Sequence, residues 1–242
     1  MKIFKVILMV FVAIFYSCEK NDVAQVTNSS ITSDGVLKGT IVNSASVAID
    51  SVKVFVFDNS SFGSSSVTTT GEFSMTLSIP KLSTIGNGPE GTIVSDTTAL
   101  GNSISNIYLY KNRKSIGELI RCNFTSDSLK TLGMSYSRFL YVDRITTIKG
   151  TQTLEGRYSM SLGYVDTLKY VFNATLNKGW NELVFKIEKM ENTTHGITTT
   201  WSLTNNIPSD LQWRYFKSSI YSRVKQKAKG QKELVSLGLF WK

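Results

Sequence analysis

The chain has 242 residues and a formal net charge of +9. A hydrophobic content of 41% and an aromatic content of 11% exclude a wholly disordered chain. The excess charge is confined to the two ends, because residues 18–216 contain 18 basic and 17 acidic side chains. A nucleic-acid-binding fold would need a basic face of its own, so we predict a folded protein with no nucleic-acid partner.

Residues 1–17 have the layout of a secretory signal peptide. Lys2 and Lys5 make a basic start, and residues 6–16 form an apolar core of 11 residues. That core is shorter than the roughly 20 residues that a membrane-spanning helix needs. The small Ser17 then precedes a cysteine, as it would at a cleavage site.

The residues around Cys18 carry a family resemblance. Phe15-Tyr16-Ser17-Cys18 resembles the lipobox of bacterial lipoproteins, and Ser17-Cys18-Glu19-Lys20 is similar to the processing sites of Bacteroidetes-type lipoproteins. The resemblance implies that the leader is removed, that Cys18 is acylated with palmitate-type chains, and that the membrane is a partner through this anchor. It also implies a cell-envelope location, as an outer-membrane lipoprotein that is periplasmic or surface-exposed. The alternative is an ordinary cleaved leader with an incidental cysteine.

The next residues predict a tether and a first group of strands. Residues 18–34 are mostly polar and lack periodicity, which is typical of a flexible tether. Residues 35–80 show the period-2 alternation of half-buried strands. Val52, Val54 and Val56 share one face of one strand, and a second strand places on one face Phe73, Met75, Leu77 and Ile79.

The same region resembles a known accessory domain. Residues 37–42, 52–57 and 67–77 are similar to the carboxypeptidase-regulatory-like (prealbumin-like) β-sandwich. The resemblance implies a small sandwich domain over residues 35–80, and such modules imply an architecture rather than an activity.

The rest of the chain predicts a second β-rich unit. Residues 81–103 are rich in Gly, Ser, Thr and Asn and predict a linker or long loop. Residues 104–216 hold repeated short strands that favour a second β-sandwich-like domain. The predicted fold is therefore all-β, with two β-sandwich-like domains. Residues 217–242 form a basic tail that could dock on an anionic surface, contact a partner protein or be a solvated appendage.

One predicted strand of the second unit has an apolar face and a more polar face. It is preceded by the turn 177–179, where Gly179 is free to take a positive φ. Leu183, Phe185 and Ile187 face one way, and Glu182 lies on the opposite, more polar face with Lys186 and Glu188.

No catalytic constellation is visible in the sequence. Nucleophilic catalysis by serine needs a base, usually a histidine, within hydrogen-bond reach. The single histidine, His195, lies in a predicted loop. The near-motifs at 133–137 and 222–225 lack the context of a nucleophile elbow or a Ser-x-x-Lys site. We therefore expect no enzyme activity.

Cysteine and histidine are also too few for a zinc site, and we expect neither a metal nor a cofactor. If Cys18 is acylated, Cys122 has no partner within the chain. It lies in a strand-like run, so we predict a buried, free thiol.

Aromatic residues supply the remaining candidates for ligand contact. Trp180, Trp201 and Trp213 could stack on sugar rings, and the alternative is packing in the core of a sandwich. The leading hypothesis is a lipid-anchored, non-catalytic binding or structural module with a glycan or envelope-protein partner. The alternatives are a surface carbohydrate-active hydrolase using paired carboxylates and an envelope assembly component.

Overall fold

The structure is a computed structural model that describes residues 29–42, 44–56, 60–125, 130–154, 167–194 and 196–217. The leader, Cys18, His195 and the tail beyond Lys217 lie outside these ranges. Within them the chain forms a short 3-10 turn at Ser44–Ser46 and fourteen strands. The strands are β1 (Val36–Val42), β2 (Ser51–Val56), β3 (Ser61–Ser66), β4 (Glu72–Thr76), β5 (Ser83–Thr84), β6 (Thr92–Val94), β7 (Leu100–Lys111), β8 (Lys114–Cys122), β9 (Ser135–Val142), β10 (Thr146–Leu154), β11 (Thr167–Leu176), β12 (Gly179–Thr193), β13 (Gly196–Thr204) and β14 (Gln212–Lys217).

The predicted all-β class is confirmed, and period-2 alternation located β2 and β4. Val52, Val54 and Val56 are buried on one face of β2, as predicted. The alternation that begins at Phe73 buries Phe73, Met75 and Leu77, whereas Ile79, past the end of β4, is 67% exposed. The sequence missed β3, whose residues are mostly serine and carry no apolar alternation.

The strands form one mixed sheet with a branch. Their hydrogen-bonded order is β4-β1-β14-β8-β7-β9-β12-β13-β11-β10-β6, and β2 pairs with both β3 and β7. The pairs β1–β14 and β11–β13 are parallel. The sheet is curved, so that the residues just after β4 lie beside β3, and the Ser78 N–H donates to the Phe62 carbonyl at 3.2 Å.

Two hydrophobic cores lie on opposite faces of β9 and β12. Phe139 and Trp180 point into the first core, whereas Leu140 and Leu183 point into the second. Successive side chains of a strand point to opposite faces, so a strand between two cores is buried on both. Residues 179–185 are accordingly all buried.

The strand pairings run across the predicted domain boundary. Strand β1 pairs with β14, and β2 pairs with β7, so regions 35–80 and 104–216 share hydrogen bonds. Residues 81–103, expected as a linker or long loop, contain β5, β6 and the start of β7. They also contribute Ile85 and Val94 to the second core. Apolar residues this sparse within a Gly- and Ser-rich run leave no periodic signal in the sequence.

The end of the predicted tether also belongs to the folded body. Ile31 is buried and bridges Leu37 in an antiparallel sense. The backbone N–H of Trp180 donates to the Ser33 carbonyl at 3.0 Å. Gly35, with a φ of +94°, packs so closely on the Trp180 indole that a Cβ would lie 2.9 Å from its Cδ1. Residues 29–34 are thus held by contacts that their polar sequence does not reveal.

Candidate functional site

The most concentrated polar chemistry in the described part of the chain surrounds the carboxylate of Glu182. Strand β12 brings Glu182 opposite Phe139 of β9, on the face that covers the first core. Its side chain is 0% exposed. The sequence placed Glu182 on the more polar face of its strand, together with Lys186 and Glu188. In the structure this face is buried up to Val184 and becomes accessible to solvent only from Lys186 onward, where β12 extends beyond the two cores.

Five donors from the described residues converge on the two oxygens of this carboxylate. Arg121, from β8, forms an ion pair with Oε1 and is itself buried, with 9% of its side chain exposed. The Ser137 hydroxyl, from β9, donates to the same oxygen at 2.5 Å. Oε2 accepts the Ser30 N–H at 2.8 Å, the Ser30 hydroxyl at 3.2 Å and the Ser29 hydroxyl at 3.1 Å.

This arrangement keeps the buried charge satisfied. A carboxylate offers about four lone-pair positions, and here donors from two strands and the N-terminal segment occupy them. An isolated buried carboxylate would be very costly, whereas one with an opposite charge and hydrogen bonds is tolerated. The network therefore joins Ser29 and Ser30 to the middle of the sheet. We name the group Glu182, Arg121, Ser137, Ser29 and Ser30 the Glu182 network.

Two other carboxylates, at the surface, are bridged by one guanidinium. Arg144 Nη2 is 2.8 Å from Asp143 Oδ2, and its Nη1 is 4.0 Å from Asp96 Oδ2. The Thr98 hydroxyl and N–H donate to Asp96 and lower the pKa of that carboxyl below 3.8, with a contribution from Arg144. The Arg144 hydrogen bond is the main cause that lowers the pKa of Asp143, and the Leu100 N–H adds to it. Both carboxyls are therefore held in the ionised form.

The three predicted ligand-contact tryptophans are not brought together. Trp180 and Trp213 are only 4% and 3% exposed and lie in the first core. Trp213 stacks on Phe139 at a centroid distance of 5.7 Å, and the absence of a side chain at Gly39 makes room for its indole. Neither ring presents a face to solvent.

Trp201, on β13, packs against the second core and is only partly buried. It packs edge-on against Tyr136 at a centroid distance of 5.9 Å, and Lys130 Nζ lies 5.9 Å from its ring centroid. Of the three tryptophans, it is the one with ring surface left for a ligand.

Cys122 is a buried, free thiol, which confirms the prediction for this residue. Its Sγ donates to the Phe124 carbonyl at 3.3 Å. Burial raises the pKa of the thiol to about 11. Cys122 is thus an inert core residue at neutral pH, since the thiolate is the reactive form.

Two further properties of the described residues bear on partners. No group of three or more His, Cys, Asp or Glu side chains there is arranged to hold a metal ion. The described part of the chain also has no helix of the length and apolarity needed to cross a membrane.

No protein-family model matches the chain, and no curated protein or solved structure matches it either.

Sequence reasoning missed the Glu182 network because its members are distant in the chain. One local signal was present: Glu182 lies in Trp180-Asn-Glu-Leu-Val-Phe185, where apolar residues occupy both alternating faces. A strand that is apolar on both faces is buried on both faces, and an acidic residue within it needs a buried partner.

Proposed function

We propose that the protein is a lipid-anchored component of the cell envelope that acts as a non-catalytic binding or structural module. The leader and the lipobox-like residues before Cys18 support the anchor. The observation that carries the proposal is the Glu182 network. It fixes Ser29 and Ser30, which follow the proposed anchor at Cys18 by about ten residues, to the middle of the sheet.

The geometry suits a tethered module. A pull on the N-terminal segment would be resisted first at Ser29 and Ser30, which are bonded to a carboxylate in the middle of the sheet. Hydrogen bonds to a charged group are worth about 1.5–3 kcal/mol each, more than neutral ones. The first described residues, Ser29 and Ser30, would therefore stay fixed to the sheet under load.

The state of the acidic residues also favours a non-catalytic role. Hydrolysis by paired carboxylates needs one carboxyl that stays protonated, with a raised pKa. Asp96 and Asp143, which share Arg144, both have lowered pKa values. Glu182 is sealed from solvent by its donors. None of the three is suited to act as the general acid.

Mass spectrometry of the N-terminal peptide from native membranes tests the anchor. We expect a peptide that begins at Cys18 and carries a diacylglycerol-type modification. A Cys18→Ser variant should lose the modification and remain as an unprocessed precursor. An intact leader or an unmodified thiol in the wild-type protein would remove the basis of the proposal.

A ligand screen tests the binding role. Glycan arrays and pull-downs from envelope fractions should yield a specific ligand or partner for the wild-type protein. If the ligand is a glycan that stacks on Trp201, Trp201→Ala should abolish binding and Trp201→Phe, which retains a ring, should preserve part of it. Screens that find neither a glycan nor a protein partner would leave only a structural role.

A further inference from the structure

Three features of the fold lie toward one end of the sheet. Strand β14 ends at Lys217, which pairs with Gly117 near the start of β8. Strand β8 begins at Lys114, directly after the turn that leaves β7 at Lys111. The β7–β8 hairpin turn and the end of β14 are therefore neighbours.

The N-terminal segment is directed toward the same end. Ile31 pairs with Leu37 in an antiparallel sense, and the Lys38 N–H donates to the Ser30 carbonyl at 3.0 Å. Traced from Ile31 back to Ser29, the chain therefore runs along β1 toward Val42. Strand β1 is parallel to β14, so this direction is also the direction of Lys217.

This end of the sheet carries exposed positive charge. Lys111, Arg113, Lys114 and Lys217 are all exposed, and we name these four residues the basic end. The turn between β7 and β8 has positive φ values at Asn112 and Arg113, 48° and 63°. This is the geometry of a tight two-residue hairpin turn, so the basic side chains stand at its tip.

Nearby acidic groups offset this charge only in part. Asp50 accepts the Asn112 N–H at 2.5 Å, and Glu72, opposite Thr40 on β1, accepts from the Thr70 hydroxyl at 3.3 Å. A further cation, Lys53, lies with its Nζ 4.8 Å from the ring centroid of Tyr110. Within the described residues, the ion pairs do not include any member of the basic end.

We propose that the basic end faces the membrane that holds the predicted acyl anchor and docks on anionic phospholipid headgroups. This inference rests on the proposed function, because the anchor brings the fold to the membrane. Juxtamembrane lysine and arginine residues each strengthen association with an anionic surface by roughly fivefold, and the effect is screened by salt. Removing three of the four charges should therefore shift the docked equilibrium roughly 100-fold.

The full-length lipidated protein in vesicles tests the orientation. A single cysteine at the turn, Asn112→Cys, is labelled with a fluorophore, and a second labelled variant, Lys178→Cys, reports the opposite end. Native Cys122 is buried and does not compete for the label. Position 178 is far from the turn, because its neighbour Gly179 pairs with Val142, and Val142 pairs with Gly101 near the start of β7. From Gly101, β7 runs to Lys111, roughly 33 Å away at 3.3 Å per residue.

Quenching by a headgroup-attached quencher measures how close each label lies to the membrane. We expect strong quenching at position 112 and weak quenching at position 178 in vesicles with about one-third phosphatidylglycerol, and loss of the difference in phosphatidylcholine alone or at high salt. The variant K111Q/R113Q/K114Q should lose the difference. The matched variant K81Q/K149Q/K169Q, which removes three exposed lysines elsewhere, should retain it.

Equal quenching at the two positions would overturn the inference, and so would quenching that does not depend on anionic lipid. A difference that survives K111Q/R113Q/K114Q would also overturn it, because docking would then occur through residues 218–242 alone. A protein without the proposed acyl anchor would give a different result. In that case the wild-type protein would not float with phosphatidylcholine vesicles, where the acyl anchor alone suffices for binding.

Discussion

Replacing Glu182 by glutamine removes one charge from the centre of the fold at almost constant volume. The structure allows the cost to be worked out from the contacts that change. Arg121 loses its ion pair with the carboxylate, and the Ser137 hydroxyl and the Ser30 N–H lose a charged acceptor. The amide also places an N–H₂ group where one carboxylate oxygen was accepting, so at least one of these donors faces another donor.

Removing one member of a buried ion pair costs about 3–5 kcal/mol, because the remaining charge keeps its desolvation penalty. We therefore expect Glu182→Gln to lower the free energy of unfolding by about 3–5 kcal/mol. The matched control is Glu191→Gln, at an exposed pair with Lys189 of 2.8 Å. Exposed pairs contribute about 0–1 kcal/mol, so this control should be close to wild type.

Urea unfolding followed by tryptophan fluorescence measures both variants, since Trp180 and Trp213 lie in the core next to the network. Hydrogen exchange at the Lys38 amide, which donates to Ser30, reports whether the N-terminal segment is released first. A double-mutant cycle with Arg121→Met and Glu182→Leu should give a coupling energy above about 2 kcal/mol. A loss below about 1 kcal/mol for Glu182→Gln would refute the view that the network carries its charge in a dry interior.

Three further predictions concern packing, thiol chemistry and acid stability. Gly39→Ala should destabilise the fold by about 2 kcal/mol or more, because its Cβ would lie 2.1 Å from Cδ1 of Trp213; a thermal unfolding midpoint equal to that of wild type would contradict this contact. Burial raises the pKa of the Cys122 thiol to about 11, so this thiol should resist maleimide at pH 7 and react only when denaturant unfolds the protein. Fast labelling of the native protein would show that the thiol is accessible. The pKa of Asp143 is lowered from 3.8, chiefly by Arg144, so its contribution to stability is present above that value and is lost as the pH falls through the lowered pKa. Arg144→Gln should therefore flatten the decline in melting temperature between about pH 5 and pH 2, the range in which carboxylates titrate. An unchanged decline would argue against the Asp143–Arg144 pair.

The sequence by itself determined the local features of this protein. Period-2 alternation located β2 and identified its buried valines, because side chains two residues apart on a strand share a face. Gly179, the first residue of β12, takes a φ of +99°, the positive value predicted for it. Cys122 is a buried, free thiol, as predicted on the condition that Cys18 is acylated and from its position in a strand-like run.

Only the tertiary structure decided which faces are covered. Alternation shows that Glu182 and Val184 share a face, but it does not show what lies above that face. Its cover comes from distant parts of the chain: Ser30, which binds Glu182, is 152 residues away in sequence. The same long-range pairing joins β1 to β14 and carries the sheet across the predicted domain boundary. Local patterns specify strands, whereas the burial of a charge depends on contacts between strands that the local pattern does not contain.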